Sequence, residues 1–188
     1  MMLHSLKIEP KRPGGWESAE LRFGKYITEL FGPNGCGKTP VIQSIAYALG
    51  YPVRYRDDIL AHCDAVTLTL RDSSGRLAVV RRRIGTQFDV EVRVGTDDVR
   101  AFYSERDYSQ FMFAMLELPF PALTSTLNEA ITPYLSTLLP IFYLDQDIGY
   151  ANAYRAPASF IRDQYSEMTR LVFGLPPKNG FDQKKFVL

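Results

Sequence analysis

The beginning of the chain combines short strand-like runs with one amphipathic helix. Strand-like runs occupy 3–9 and 21–23, and a third run over 26–31 ends at a glycine and a proline. Apolar residues then recur at helical spacing over 38–49, at Val41, Ile42, Ile45, Ala46 and Leu49. Gly50 is expected to end this helix, because glycine commonly follows the last helical residue. The pattern therefore predicts mixed α and β structure.

The next segment carries the clearest β-strand signal. Apolar and polar residues alternate over 66–70, and an Asp-Ser-Ser-Gly turn follows at 72–75. A second strand is predicted for 77–84, and alternation returns over 88–94. Three strands joined by short turns predict an antiparallel meander with one buried face and one solvent-facing side.

The second half of the chain is predicted to be mainly helical. Helices are expected over 108–118 and 122–131, and a further apolar stripe runs through 161–172. The Tyr108, Phe111, Met112 and Met115 stripe is interpreted as core. An apolar run over 138–144 contains Pro140, which favours the start of a strand over a helix interior.

Composition and charge indicate which class of protein this is, and they leave the predicted helices and strands unchanged. The chain has 188 residues, of which 46% are hydrophobic and 23% charged, as in one globular domain. We divide it into a strand-rich part, 1–95, and a mainly helical part, 96–188. No apolar run approaches the ~20 residues of a membrane span, and no secretory signal is expected at the start. Two cysteines are too few for a disulfide framework, so the cytoplasm is expected. A net charge of +1 provides no bulk attraction for nucleic acid.

A glycine-rich loop between the third strand-like run and the first helix carries the strongest functional signal. Residues 32–39 read Gly-Pro-Asn-Gly-Cys-Gly-Lys-Thr and fit the pattern G-x-x-x-x-G-K-[ST] at every position. Glycines let backbone N–H groups approach phosphate oxygens, and the helix that follows points its positive end at the anion. Lys38 is expected to reach the β and γ phosphates, and the Thr39 hydroxyl to bind Mg²⁺. The predicted nucleotide-binding residues of the loop are Asn34, Gly35, Cys36, Gly37, Lys38, Thr39 and Pro40.

The residues from Phe31 to Thr39 resemble the Walker A motif of ABC-class ATPase heads, which are AAA-type P-loop ATPases. Within that class the resemblance is closest to the structural-maintenance-of-chromosomes (SMC) proteins and their relatives in double-strand-break repair. The segment 48–60 and the meander with Val80-Arg-Arg-Arg-Ile84 also resemble SMC heads, and beyond 95 the resemblance is looser. It implies an α/β P-loop NTPase, the N-terminal lobe of an ABC-ATPase head, with ATP and Mg²⁺ as cofactors. In that family an arginine near this position approaches the nucleotide or DNA, and either Arg54 or Arg56 matches it.

A second candidate motif lies at 141–147. By its order in the chain, Phe142-Tyr-Leu-Asp-Gln-Asp147 resembles the family's Q-loop, whose glutamine binds Mg²⁺ and positions the attacking water. Gln146 would then be a metal ligand and, with Lys38, a catalytic residue. A rival interpretation is a Walker B strand, with Asp145 holding the metal. We prefer the Q-loop, because a signature motif precedes the Walker B strand in ABC heads and none precedes this segment; a plain loop is the third interpretation.

Several motifs of a complete ABC head do not occur in the sequence. It contains no Leu-Ser-Gly-Gly signature, no strand ending in Asp-Glu and no switch histidine. In SMC-like proteins these lie in the C-terminal half of the head, beyond a coiled coil, so the chain resembles the N-terminal half. The resemblance implies a C-terminal half or a second head as partner, with two heads enclosing two ATP molecules. It also implies service in DNA repair, chromosome organisation or defence against foreign DNA, with little hydrolysis by the chain alone.

Two other function classes are weighed against this interpretation. A self-contained small P-loop NTPase or kinase would use Asp145 as its Walker B residue. The base-recognition motif Asn-Lys-x-Asp of GTPases does not occur, and the arginines lie on strands rather than on a lid helix. A non-hydrolysing interaction module would use the nucleotide only to order its surface.

Arginines concentrate in the meander, where Arg81, Arg82 and Arg83 are consecutive. Because a strand alternates its faces, Arg81 and Arg83 are predicted to point away from Arg82. One face could contact DNA phosphates. The preferred interpretation is a solvated sheet face whose arginines pair with carboxylates such as Asp89 and Glu91 on a neighbouring strand.

Overall fold

The computed structural model describes residues 1–144 and 154–181, and in it the chain folds as two units, Met1–Ser104 and Glu105–Leu188. The helices of the first unit are α1, Lys38–Ala48, and α2, Asp57–His62. Its strands are β1, Met2–Pro10; β2, Leu21–Arg22; β3, Cys63–Arg71; β4, Leu77–Arg83; β5, Val90–Val94; and β6, Arg100–Phe102. Within the described residues these strands form one six-stranded sheet in the order β2-β1-β3-β4-β5-β6, with every neighbouring pair antiparallel.

The predicted meander is confirmed, and its buried face forms the core of the first unit. Register places Leu68 opposite Val80 and Val80 opposite Val92, and all three side chains are buried. Leu6 of β1 pairs with Leu68 and extends the same apolar row. Helix α1 contacts β3 and β4 and buries Tyr47. The sheet is therefore the platform on which the helix after the glycine-rich loop is mounted.

The strand predicted over 26–31 is wrong. Tyr26, Ile27 and Phe31 are 85%, 87% and 95% exposed, and among the described residues no strand pairs with this segment. The Thr28 hydroxyl instead accepts a hydrogen bond from the backbone N–H of Gly24, at 2.7 Å. An extended run becomes a strand only where another backbone supplies hydrogen bonds. Here the described part of the chain supplies none, so the apolar side chains face solvent.

The second unit contains three helices and a small hairpin among its described residues. The helices are α3, Glu105–Met115; α4, Leu135–Leu138; and α5, Gln164–Val172; a 3₁₀ turn, Leu139–Ile141, follows α4 directly. The hairpin pairs β7, Leu123–Thr124, with β8, Ala130–Ile131. Helix α3 confirms the predicted 108–118 helix apart from its bounds, and its Tyr108 and Met112 are fully buried as core. The predicted 161–172 helix begins later, at Gln164.

The helix predicted over 122–131 is wrong, because β7 and β8 form there instead. The Ser125 hydroxyl accepts hydrogen bonds from the backbone N–H groups of Leu127 and Glu129. Asn128 has a φ of 64°, in the left-handed region that asparagine tolerates better than most residues. These local contacts satisfy the backbone in a turn and compete with a helix.

The strand start predicted within 138–144 is also wrong. Residues 139–141 form a 3₁₀ turn in which Pro140 lies in the first positions. Proline is tolerated there because its missing N–H has no partner to lose in a first helical turn. Residues 139–141 are therefore helical rather than extended.

Candidate functional site

The glycine-rich loop turns sharply into α1 and exposes its backbone. Gly35 and Gly37 have φ values of 80° and 91°, in the region that favours glycine. A Cβ atom added to either would meet no atom within 4 Å, so the space beside this backbone is open. At Gly32 a Cβ would lie 2.7 Å from the Cys36 sulfur, so a larger residue there would require the Cys36 side chain to move. The geometry is that of a backbone cradle able to receive an anion.

The N-terminus of α1 adds electrostatic attraction to this cradle. Gly37 is the N-cap and provides no side-chain hydrogen bond, and the first turn contains no acidic residue. No carboxylate of that turn therefore offsets the positive end of the helix dipole. The second residue of the helix, Thr39, supplies a hydroxyl, the group that would hold Mg²⁺ beside bound phosphates.

The Lys38 ammonium lies back over the loop. Its Nζ donates to the carbonyl oxygens of Gly32 and Pro33, at 2.7 and 2.8 Å, and lies 3.8 Å from the Cys36 sulfur. The single cation of the loop 32–39 is thus held against the carbonyl oxygens of Gly32 and Pro33 at the start of the loop. Backbone cradle, ammonium and hydroxyl together fit a nucleotide with Mg²⁺, which would neutralise phosphate charge when bound.

A cavity of about 430 Å³ adjoins the loop within the first unit. Its lining includes Gly35, Cys36 and Gly37 on the loop, Pro40 on α1, and Arg56 just before α2. Of the two arginines considered for the nucleotide, Arg56 lines the cavity beside the loop, and it forms an ion pair with Asp58. Arg54 and Asn34 are exposed and lie outside this lining.

Arg82 anchors the far end of α1, a role that the sequence analysis missed. Its guanidinium is buried and lies 3.9 Å from the centre of the Tyr47 ring and 4.6 Å from that of Phe88. It donates to the carbonyl oxygens of Tyr47 and Tyr51, where the negative end of the helix dipole favours a cation. The alternation that buries Val80 also places Arg82 on the inner face, and this was the available signal.

Tyr47 and Tyr55 tie the chain after α1 to the same region. The Tyr47 hydroxyl donates to the carbonyl oxygen of Arg83 at 2.6 Å, and the two rings meet edge to face at 5.1 Å. The Tyr55 and Ser44 hydroxyls are hydrogen-bonded at 3.0 Å. Burial raises the pKa of the Tyr55 hydroxyl well above its usual value, so this phenol stays protonated.

The outer face of the meander is ion-paired, as the preferred interpretation of the arginines held for Asp89, but Arg81 pairs with Glu9 and Asp64 rather than with Glu91. Arg81 bridges Glu9 and Asp64 at 2.7 and 2.9 Å, and Arg83 lies 3.6 Å from Asp89. Partial burial alone would raise the pKa of the Glu9 carboxyl, but hydrogen bonds from Arg81 and Thr67 outweigh it and lower that pKa. Much of the arginine charge is thus already matched by carboxylates.

The Q-loop and Walker B assignments of Gln146 and Asp145 fall outside the described residues. Within 1–144 and 154–181, no group of three or more histidine, cysteine, aspartate or glutamate residues is placed to hold a metal ion. None of the helices in that part of the chain combines the length and hydropathy of a membrane span. The described candidate site therefore consists of the loop, α1 and the adjoining cavity.

Comparison with known protein families gives a match to the first part of the chain. No curated protein matches the chain. The sequence profile of the AAA-domain family matches residues 7–115, a stretch that runs from β1 through α3 and contains the whole glycine-rich loop. That match covers more than half of the 188 residues and agrees with the phosphate-binding geometry of the loop. The chain therefore belongs to the AAA-domain family, as an AAA-type P-loop ATPase.

Proposed function

We propose that the chain is the ATP-binding half of an SMC-like, ABC-class ATPase head that a C-terminal half completes for hydrolysis. It would act in the cytoplasm in DNA repair, chromosome organisation or defence against foreign DNA. One observation carries the proposal: a well-formed phosphate loop follows directly on an uncovered apolar segment, 26–31. The site is built for binding while the surface beside it lacks a neighbour among the described residues.

The loop supplies what is needed to bind ATP with Mg²⁺. Backbone N–H groups at Gly35 and Gly37, the Lys38 ammonium and the α1 dipole would all act on phosphate oxygens. Thr39 would hold the metal, and Pro40 continues the first turn of α1. All of these groups belong to this chain and would contact the phosphates of bound ATP. ATP binding would therefore not require the C-terminal half.

The uncovered segment supports the need for a second half. Tyr26 and Leu30 line a groove of about 310 Å³ together with Met2 of β1 and Ile42 and Ile45 of α1. Exposed apolar surface of this kind marks a site of protein contact more often than a solvated face. A partner that brings a strand alongside 26–31 would supply its missing hydrogen bonds and cover these side chains.

The chemistry of ATP hydrolysis also supports the proposal that this chain binds ATP and that a second half completes the catalytic site. The sequence contains neither the signature motif nor the Asp-Glu strand that act on the transferring phosphate and on the attacking water in the family it resembles. Interactions that bind the ground state alone do not lower the barrier to reaction. Two heads that enclose ATP between them would bring both groups to the phosphate held at Lys38.

Hydrogen exchange of the segment 26–31 tests this proposal. In the isolated chain the amides of 26–31 are expected to exchange rapidly, because no described strand holds them. Binding of a C-terminal half with a signature motif and an Asp-Glu strand should slow their exchange by about 100-fold or more, as for amides drawn into a sheet. The measurement is exchange followed by mass spectrometry, with and without the C-terminal half.

The central strand β4 serves as the internal control, because its amides should be protected in both samples. Protection of 26–31 in the isolated chain would mean that this segment needs no partner strand. The same conclusion would follow if the segment stayed unprotected in a complex that hydrolyses ATP.

The rival roles of Gln146 and Asp145 make a further prediction for the completed head. Under the Q-loop interpretation, Gln146→Ala leaves most ATP binding intact and abolishes turnover, because the attacking water loses its orienting group. Under the Walker B interpretation, Asp145→Ala is the more damaging change, through lost metal binding. Steady-state turnover of the two variants decides: activity that survives Gln146→Ala but not Asp145→Ala would reverse our preference.

A further inference from the structure

The uncovered segment 26–31 presents two different faces. The groove beside α1 is lined by every second residue of the segment: Tyr26, Thr28 and Leu30. Ile27, Glu29 and Phe31 lie outside that lining, and all three are exposed, Ile27 to 87% and Phe31 to 95%. Alternate residues of an extended segment point to opposite faces. These three residues therefore form a second face, which we call the outer row.

Glu29 is a carboxylate between the two large apolar side chains of the outer row. None of the ion pairs formed by the described residues includes it. The two lysines nearest in sequence are engaged elsewhere. The Lys25 Nζ lies 4.9 Å from the centre of the Tyr26 ring, and the Lys38 Nζ donates to carbonyl oxygens of the phosphate loop. The described part of the chain thus leaves the charge of Glu29 to solvent.

A partner that covered the outer row would remove that solvent. The two apolar side chains favour coverage by protein, but burying a carboxylate without a partner is strongly unfavourable. The surface that covers Ile27 and Phe31 must therefore also bring a positive charge to Glu29. Residues two apart on an extended strand are separated by about 7 Å, so this charge must lie within that distance of both apolar contacts.

The place of the outer row in the chain indicates which partner covers it. Phe31 directly precedes Gly32, the first residue of the phosphate loop. An occupant of the outer row therefore lies next to the loop, where the groups that hydrolysis still needs must be brought. The proposed C-terminal half supplies those groups. A second copy of this chain does not, because its sequence has neither the signature motif nor the Asp-Glu strand.

We propose that Glu29 selects the C-terminal half of the head, by pairing with an arginine or lysine that this half presents between apolar contacts to Ile27 and Phe31. The inference rests on the proposed function and adds the chemistry by which the partner is recognised. A half of similar shape with a neutral or acidic residue at this point is rejected, because Glu29 would then be buried unpaired.

Charge reversal at Glu29 tests this inference. Calorimetry measures the binding of the C-terminal half to the full chain carrying Glu29→Lys, in the presence of ATP and Mg²⁺. Binding is expected to weaken by about 30-fold or more, as when one member of a buried charge pair is lost. Glu29→Gln keeps the size of the side chain and removes only its charge, and it should weaken binding by at least about fivefold.

An acidic residue elsewhere in the first unit provides the matched control. Asp98 is exposed and lies outside the segment 26–31. Asp98→Lys makes the same change of charge and should leave the affinity for the C-terminal half within about twofold. Replacing the matching basic residue of the C-terminal half with glutamate should restore its binding to Glu29→Lys.

The apolar contacts are tested separately. Phe31→Ala should weaken binding of the C-terminal half by about 30-fold or more, as for an aromatic anchor at the centre of an interface. Tyr103→Ala is the control, because Tyr103 is also an exposed aromatic residue of the first unit, at 75%. Binding that is insensitive to Phe31→Ala would overturn the outer row as the docking face.

The outcomes separate this inference from the proposed function. If the wild type and both Glu29 variants bind the C-terminal half equally well, Glu29 does not select the partner, while the half-head proposal stands. An equal loss in Asp98→Lys would also overturn the inference, because the effect would then be one of net charge. If the wild type does not bind a C-terminal half, both proposals fail. Protection of the β4 amides from hydrogen exchange reports in each variant that the first unit is folded.

Discussion

Replacing Lys38 with alanine is expected to weaken the binding of ATP with Mg²⁺ by roughly 10- to 150-fold. The side chain carries the only ammonium of the loop, and its Nζ already lies within 2.7–2.8 Å of two loop carbonyl oxygens. Phosphate oxygens would replace these carbonyls with charged acceptors, and a hydrogen bond between charged groups contributes about 1.5–3 kcal/mol. Calorimetry on the purified chain measures the difference.

A lysine outside the loop provides the control for this experiment. Lys25 lies on the exposed stretch before α1, with its Nζ 4.9 Å from the centre of the Tyr26 ring. Lys25→Ala removes the same charge from the first unit and should leave ATP affinity within about twofold, because exposed charges at a distance are screened. Equal affinity of the wild type and Lys38→Ala would reject the assigned role of Lys38.

The chain alone is expected to hydrolyse ATP no faster than its Lys38→Ala variant, whereas the completed head should turn over at least about 100-fold faster. Groups that stabilise charge developing in the transition state typically contribute factors of this size each. The proposed C-terminal half brings two of them, the signature serine and the general base. Phosphate release measured with and without that half, and then with DNA added, tests the expectation.

The same assay contains the result that would overturn the half-head proposal. Rapid hydrolysis by residues 1–188 alone, lost in Lys38→Ala, would favour a self-contained P-loop enzyme. The Lys38→Ala sample is needed because a contaminating ATPase would not depend on this side chain. A C-terminal half that binds without raising turnover would equally contradict the proposal.

Sequence patterns correctly predicted those elements whose backbone hydrogen bonds form within one helix or between strands that follow each other in the sequence. The meander and α1 follow from alternation and helical spacing within a few residues, and both were correct. The strand at 26–31 depends on a backbone that the described residues do not provide, so its apolar pattern could not make it a strand. Residues 122–131 failed for the opposite reason, because the Ser125 hydroxyl and the left-handed Asn128 favour a tight turn over a helix.

The candidate site divides in the same way. The phosphate loop could be predicted because its whole function depends on eight consecutive residues, 32–39. The contact of Arg82 with Tyr47 joins residues that are far apart in sequence. No local pattern reports such contacts, although the alternation of β4 did indicate that Arg82 differs from its two neighbours.

The uneven attachment of α1 has a consequence for how the loop responds to its ligand. The buried residues of α1, Ser44, Ala46, Tyr47 and Ala48, all lie in its later half, where Arg82 also grips the backbone. The C-terminal half of α1 is therefore packed against the core, whereas its N-terminal, phosphate-binding turn is not. A ligand can therefore tighten the first turn of α1 without disturbing the sheet, since local opening follows local packing. The loss of motion on binding would be concentrated in the residues nearest the phosphates, and the residues of the core would lose little conformational entropy.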